Sequence, residues 1–152
     1  MSHNLVGFSH DSGDWISVVM AWVTFGQASH MVMISPCGQW FIEATGVKTP
    51  QGVQPPRPIY EFINREGAVI RKIEHPNPEG VWAAALTQVG KGYDWLWFVG
   101  WLFRSRNWQD LAKWVCAELY GWCERQAGYS NIDGDHNWHL TPNDWRMISK
   151  PL

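Results

Sequence analysis

The sequence lacks a long apolar run, an excess of charge of one sign and a paired set of cysteines. Its most apolar stretch, from Trp95 to Phe103, is far shorter than the roughly 18 residues that predict a membrane-spanning helix. The formal net charge is only -2, which gives no electrostatic reason to expect nucleic acid as a partner. Three cysteines without paired spacing favour free thiols in a reducing compartment over a disulfide framework.

Length and composition predict a single folded domain over residues 1–152. Of the 152 residues, 45% are hydrophobic and 17% are charged, which is typical of a globular protein. The segment from Met1 to Gly7 lacks a basic stretch followed by an apolar core, so we recognise no secretory signal. We therefore expect a cytoplasmic protein.

Tryptophan is the one compositional outlier, with 12 residues in this short chain. The first expectation is a heavily aromatic core, since aromatic rings contribute large buried areas. A stacking surface for a ligand or a belt at a membrane surface is the alternative. The segment from Trp95 to Phe103 is too short to cross a membrane, but it is a candidate for contact with a membrane surface.

The order of apolar patterns predicts an α+β fold with a small antiparallel sheet packed against helices. The proline-rich stretch 46–58 is predicted to be a loop without regular structure. Strands are predicted over Leu5–Phe8, Ser29–Ser35, Trp40–Thr45, Ile59–Ile63 and Ala68–Ile73. Helices are predicted over Trp15–Phe25, from Pro78 to about Val89, from about Asp94 through Phe103, from either Trp108 or Lys113 onward, and from Pro142.

A predicted hairpin places a histidine near a glutamate. If the turn at 36–39 is symmetric, Ser35 pairs with Trp40, and Glu43 then lies opposite Val32. Because side chains alternate along a strand, His30 and Glu43 share a face as diagonal neighbours, roughly 7 to 8 Å apart at the backbone. At that separation a glutamate side chain reaches an imidazole nitrogen.

Cys116 is the leading candidate for a nucleophile. A thiol in the first turn of a helix is activated by the unpaired backbone N–H groups and the positive end of the helix dipole. Only the later start of the predicted helix, near Lys113, leaves Cys116 in that first turn. Singly, a cysteine is usually buried packing, and a histidine or glutamate on a strand usually has no catalytic role. The combination of Cys116, His30 and Glu43 favours a thiol enzyme.

A zinc site is an alternative use of the same cysteine. Two thiolates and two imidazoles, from Cys116, Cys123, His136 and His139, match the ligand types of structural zinc. However, six residues separate the two cysteines, whereas the usual spacing is about two to four. We therefore expect no metal at this position.

Four short segments resemble the circularly permuted NlpC-type branch of the papain-like cysteine peptidases. They are residues 29–34, 41–47, 93–95 and 114–119. The resemblance implies a papain-like α+β fold with Cys116 as nucleophile, His30 as base and Glu43 as orienting residue. It further implies that Tyr93 contributes to substrate or oxyanion binding and that no metal or organic cofactor is needed. The substrates implied are amide bonds in peptidoglycan stem peptides.

The chain departs from this family in two places. Ala117 follows the cysteine where the family often has serine, and Asn4-Leu5-Val6-Gly7 stands where Gly-Asp often opens the first strand. The family also shades into lipid acyltransferases and thioesterases similar to lecithin retinol acyltransferase, and a catalytically inactive binding module on the same fold is a third possibility. The partner expected first is a peptide or cell-wall fragment, reached through separate delivery to the cell envelope. The sequence does not determine the oligomeric state.

Overall fold

The computed structural model describes residues 2–10, 26, 28–46, 50–94, 113–132 and 140–152. The strands are β1 (His3–Ser9), β2 (His30–Ile34), β3 (Trp40–Ile42), β4 (Ala44–Thr45), β5 (Gly52–Val53), β6 (Arg57–Pro58), β7 (Val69–Glu74), β8 (Gly92–Tyr93), β9 (Lys113–Trp114) and β10 (Lys150–Pro151). Six of them form one antiparallel sheet in the order β10-β7-β1-β2-β3-β6. A second antiparallel pair joins β4 to β5, and a parallel pair joins β8 to β9. The described part of the chain is therefore α+β, with a small antiparallel sheet as predicted.

Four helices are seen in the described residues: α1 (Tyr60–Ile63), α2 (Pro78–Leu86), α3 (Cys116–Gln126) and α4 (Pro142–Ile148). The predicted start of α4 is confirmed, because Thr141 and Asp144 form a reciprocal capping box ahead of Pro142. The predicted start of α2 at Pro78 is also confirmed. That helix ends at Leu86, somewhat earlier than predicted. None of the helices in the described residues has the length and apolar character that a membrane span requires.

The predicted hairpin and its register are confirmed. Met33 pairs with Ile42 and Ile34 with Phe41, and the Ser35 N–H donates to the Trp40 carbonyl at 2.8 Å. The turn uses Gly38 at a φ of 73°, which is the left-handed conformation that glycine adopts most readily. The register fixes which face of the sheet each residue of β2 and β3 occupies.

The returning strand differs from the prediction because it is divided at Glu43. β3 pairs with β2, whereas β4 leaves the main sheet and pairs with β5. The prediction that residues 46–58 form a loop without regular structure was wrong, because this segment contains β5 and β6. β6 pairs with β3. Two-residue strands arise from backbone hydrogen bonds to neighbouring segments and leave no periodic pattern in the sequence. Glu43 thus lies where the chain turns out of the sheet.

The predicted strand at Ile59–Ile63 is instead the short helix α1. The N–H groups of Phe62 and Ile63 both donate to the Ile59 carbonyl, at 3.0 and 3.1 Å. Phe62 is fully buried while Tyr60 and Ile63 are exposed. A short apolar run of this length does not distinguish a strand from a single helical turn. The neighbouring prediction at Ala68–Ile73 is confirmed as β7.

The sheet separates two apolar clusters. The larger cluster packs α2, α3 and α4 against one face and includes Met31, Met33 and Ile42. The smaller cluster on the other face consists of Val32, Ile34, Phe41 and Phe62. Alternate residues of β2 therefore contribute to both cores, which is what the period of two requires.

Three predictions fall largely on residues outside the described ranges. They are the helix at Trp15–Phe25, the helix expected to carry Trp95 to Phe103, and its suggested contact with a membrane surface. Of the second helix only Asp94 is described, and it follows β8 without helical structure.

Candidate active site

Cys116 is the first residue of α3. The preceding Val115 is extended, with φ -104° and ψ 156°, so it forms the N-cap position of the helix. The start near Lys113 was too early, because Lys113 and Trp114 form β9, and the helix of Cys116 therefore does not extend back towards Trp108, which lies outside the described residues. Parallel pairing with β8 keeps these two residues extended although their apolar spacing is helical. Cys116 therefore has the unpaired N–H groups of a first turn beside it.

The half-buried Cys116 thiol lies against the first residues of β2. Burial raises its pKa, but a hydrogen bond to His30, the charge of the imidazole and two backbone N–H groups act in the opposite direction. Those N–H groups belong to Met31 and Ala117. The balance places the pKa of Cys116 below the ordinary thiol value. Hydrogen bonds and positive charge near sulfur favour the thiolate, which is the nucleophilic form.

His30 joins the thiol to a carboxylate. Its Nε2 atom lies 2.6 Å from Oε2 of Glu43. An ionised carboxylate only accepts hydrogen bonds, so Nε2 carries a proton and donates it. The other ring nitrogen, Nδ1, then remains to accept the proton of Cys116. The predicted neighbourhood of His30 and Glu43 is present, and α3 brings the third residue to it.

Two arginines also bind the Glu43 carboxylate. Arg65 makes a bidentate pair, with Nη1 to Oε2 at 2.6 Å and Nη2 to Oε1 at 2.8 Å. Arg57 forms an ion pair with Oε1 from the other side. Glu43 is only 2% exposed, so these contacts replace the water that a carboxylate would otherwise need. Sequence analysis missed both arginines.

The guanidinium groups rest on the smaller aromatic cluster. Arg57 lies 4.9 Å from the centre of the Phe41 ring, and Arg65 lies 5.2 Å from Phe41 and 5.6 Å from Phe62. Cations stack favourably on aromatic faces. Phe41 and Phe62 thereby hold the two arginines against Glu43. The only sequence signal for this contact was a glutamate on a buried strand, which requires a cation from elsewhere in the chain.

A second buried carboxyl lies on the helix side of Cys116. Glu118 is 1% exposed, and neither of its oxygens makes a hydrogen bond of ordinary geometry within the described residues. Burial, and then the charge of Asp94, raises the pKa of Glu118 to about 8, and the nearby Val115 N–H offsets this only in part. Asp94 is itself fully buried at the end of β8. This pair was also missed by sequence analysis.

Tyr93 lies one strand away from the segment that leads to Cys116. It pairs with Trp114 in the parallel ladder of β8 and β9, and it packs against the larger apolar cluster together with Cys116. Its strand is therefore hydrogen-bonded to the strand that leads into Cys116, and its predicted part in substrate binding stays a prediction.

The two other cysteines differ from Cys116 in surroundings. Cys37 is exposed in the hairpin turn, where a hydrogen bond with Ser35, and then one with the Gln39 backbone, lowers its pKa. Cys123 is completely buried on α3, and burial, followed by the charge of Glu124, raises its pKa. The described residues contain no group of three or more metal-ligating side chains, and His136 and His139 lie outside them.

No protein-family model matches the sequence, and none of the curated proteins matches it.

Proposed function

We propose that this chain is a cysteine hydrolase in which Cys116 is the nucleophile, His30 the general base and Glu43 the orienting residue. The observation that carries the proposal is the line of contacts from the Cys116 thiol through the His30 ring to Glu43, 2.6 Å from Nε2. A thiolate, an imidazole and a group that orients the imidazole are the three parts that acyl transfer by a thiol requires.

In the proposed reaction His30 accepts the proton of Cys116, and the sulfur attacks the carbonyl carbon of an amide. The C–N bond breaks as His30 protonates the departing amine, which leaves a thioester on Cys116. His30 then takes a proton from a water molecule, which attacks the thioester carbonyl carbon. The C–S bond breaks, the carboxylic acid is released, and His30 returns the proton to the sulfur of Cys116. The Cys116 backbone N–H, at the first position of α3, is the proposed donor to the developing oxyanion.

The resemblance to circularly permuted NlpC-type papain-like peptidases supports the amide bonds of peptidoglycan stem peptides as the first substrate class to test. The α+β arrangement, with a helix that begins at the cysteine and a strand that begins at the histidine, is compatible with that fold. Tyr93 is proposed to contact the substrate beside Cys116. The proposed chemistry uses side chains and a backbone N–H of the protein and no cofactor.

The first experiment measures thiol reactivity. Cys37 is exposed and has a lowered pKa, so it would compete for reagent and is first replaced by serine. In the Cys37→Ser protein, iodoacetamide at neutral pH should alkylate Cys116 and leave Cys123 unmodified. His30→Ala should slow alkylation of Cys116 about ten-fold or more, because the hydrogen bond and charge that favour the thiolate are lost. Equal alkylation with and without His30 would contradict the proposed pair.

The second experiment identifies the substrate class. Purified peptidoglycan fragments, phospholipids and acyl thioesters are incubated with the Cys37→Ser protein and with the same protein carrying Cys116→Ala. Cleavage of the fragments that requires Cys116 is the expected result. Turnover of the lipid or thioester substrates alone would indicate an acyltransferase or thioesterase instead. No turnover, together with an unreactive Cys116, would indicate a binding module without catalysis.

A further inference from the structure

Glu43 has more positive partners than a buried carboxylate needs. The bidentate Arg65 pair and the His30 hydrogen bond already occupy both of its oxygens. Arg57 then adds a second guanidinium at Oε1. A bidentate arginine is a frequent and strong partner of a carboxylate. The second guanidinium adds positive charge beyond that pair.

The two arginines are held close together in spite of their like charge. Burial, and then the charge of Arg65, lowers the pKa of Arg57. Both guanidiniums are only partly accessible, with side-chain exposures of 26% for Arg57 and 20% for Arg65. Their mutual repulsion is opposed by Glu43 between them and by the rings of Phe41 and Phe62 beneath them. The arrangement concentrates two guanidinium charges at one buried carboxylate.

The concentrated charge acts on the imidazole through the shared carboxylate. A carboxylate beside an imidazole stabilises the protonated ring, and an uncompensated one would hold the proton that the base must later release. Arg65 and His30 both contact Oε2 of Glu43, each at 2.6 Å. The arginine therefore competes with the imidazolium for the same oxygen.

We propose that Arg57 and Arg65 are positioning residues of this site, which fix Glu43 against His30 and weaken its hold on the imidazole proton. The inference rests on the proposed function, because it assigns the arginines a part in the proton cycle of Cys116 and His30. Other charged groups near the site are Glu61, 3.4 Å from Arg57, and the buried pair of Asp94 and Glu118 on the α3 side. These groups are unchanged in the variants below, so they do not alter the comparison.

The test is the pH dependence of Cys116 alkylation by iodoacetamide in the Cys37→Ser protein. In the plot of alkylation rate against pH, the alkaline limb marks the pH at which the imidazolium beside the thiolate loses its proton. Arg65→Gln keeps amide donors but removes the charge, so the limb should move to higher pH by about one unit. Arg65→Lys keeps the charge, and the limb should remain near its original position although the rate falls with the lost bidentate contact.

Matched variants separate this effect from a general loss of an arginine. Arg71 binds Ser149 through Nε and Nη2, both at 2.7 Å, at the other edge of the sheet, so Arg71→Gln should leave the alkaline limb unchanged. If Arg65→Gln does not fold, Arg57→Gln and Arg57→Lys provide the same comparison of charge lost with charge kept. Circular dichroism and thermal unfolding establish that each variant is folded.

The inference is overturned if the glutamine and lysine variants share the alkaline limb of the parent, because the arginines would then serve the fold alone. It is also overturned if the glutamine variant moves the limb to lower pH. Failure of the proposed function looks different, since His30→Ala would then leave alkylation unchanged. The alkylation measurements do not depend on finding a substrate, so the two outcomes can be told apart.

Discussion

Two buried carboxyl side chains, Glu43 beside His30 and Glu118 on α3, have opposite surroundings. Glu43, 2% exposed, receives His30, Arg57 and Arg65. Glu118, 1% exposed, makes no hydrogen bond of ordinary geometry in the described part of the chain, and the charge of Arg125 offsets its raised pKa only in part. The first carboxylate is compensated by positive charge, whereas the pKa of the second is raised to about 8, which favours the neutral acid.

This difference has one consequence for the thiol. A thiolate is disfavoured by any uncompensated negative charge nearby, because like charges repel strongly where water is excluded. Glu43 is paired with guanidiniums, and Glu118 favours the neutral acid below about pH 8. Neither carboxyl group therefore presents a full uncompensated negative charge to the thiol at neutral pH. The comparison predicts that disturbing the compensated carboxylate has the larger effect.

The largest loss of stability is expected for Glu43→Ala. It leaves Arg57 and Arg65 facing each other without the anion between them, and breaking a buried ion pair in this way costs about 3 to 5 kcal/mol. Urea unfolding at pH 7 should show this loss of stability, and the alkylation rate of Cys116 should also fall because His30 is no longer oriented. A variant within 1 kcal/mol of the parent would mean that the cluster contributes little to the folded state.

Glu118→Gln should raise the free energy of unfolding above that of the parent, and the gain should depend on pH. The folded pKa of about 8 is above the usual value of 4.5, so the folded state keeps a proton that the unfolded state loses. Stability from this group is therefore complete below about pH 4.5 and is lost as the pH rises towards 8. Between pH 5 and pH 8 the parent should lose roughly 3 kcal/mol that the glutamine variant retains.

The measurement is the free energy of unfolding of both proteins at several pH values. The difference between Glu118→Gln and the parent should be small at pH 5 and grow steadily to pH 8. A constant difference would show that Glu118 ionises normally and that its oxygens find partners. That result would remove the contrast with Glu43.

The hairpin shows how far local sequence rules reach. The register of β2 and β3 follows from a four-residue turn and from alternation, and it was sufficient to bring His30 and Glu43 together. Both rules act over a few residues, so they can be applied without knowledge of the rest of the fold. Glu43 was predicted to lie inside a strand, whereas it lies at the point where the chain leaves the main sheet.

The partners of Glu43 and the start of α3 could not be predicted in this way. Arg57 lies in a segment predicted to have no regular structure, and Arg65 follows a helix that was predicted to be a strand. Their positions depend on Phe62 packing against Phe41, at 5.9 Å between ring centres, which no local pattern encodes. Similarly, the parallel pairing of β8 with β9 overrides the helical spacing before Cys116.

A smaller change is expected for Asp94→Asn, which sharpens the account of Glu118. The charge of Asp94 is the second cause of the raised pKa of Glu118, and burial is the first. Removing the charge should therefore lower that pKa without restoring its ordinary value. The loss of stability between pH 5 and 8 should become smaller than in the parent but remain larger than in Glu118→Gln. A profile identical to the parent would exclude coupling between the two carboxyls.

The smallest effect is expected for Glu61→Gln, which removes an acidic partner of the same arginine that binds Glu43. Arg57 and Glu61 are 3.4 Å apart, and Glu61 is 37% exposed, so water screens the pair and its contribution should be about 0.5 kcal/mol or less. Urea unfolding beside Glu43→Ala tests this directly. Glu61→Gln removes one exposed contact of Arg57, whereas Glu43→Ala removes the anion that also binds Arg65 and His30, so the second loss should be several times the first. Losses of equal size would contradict the contrast drawn for Glu43.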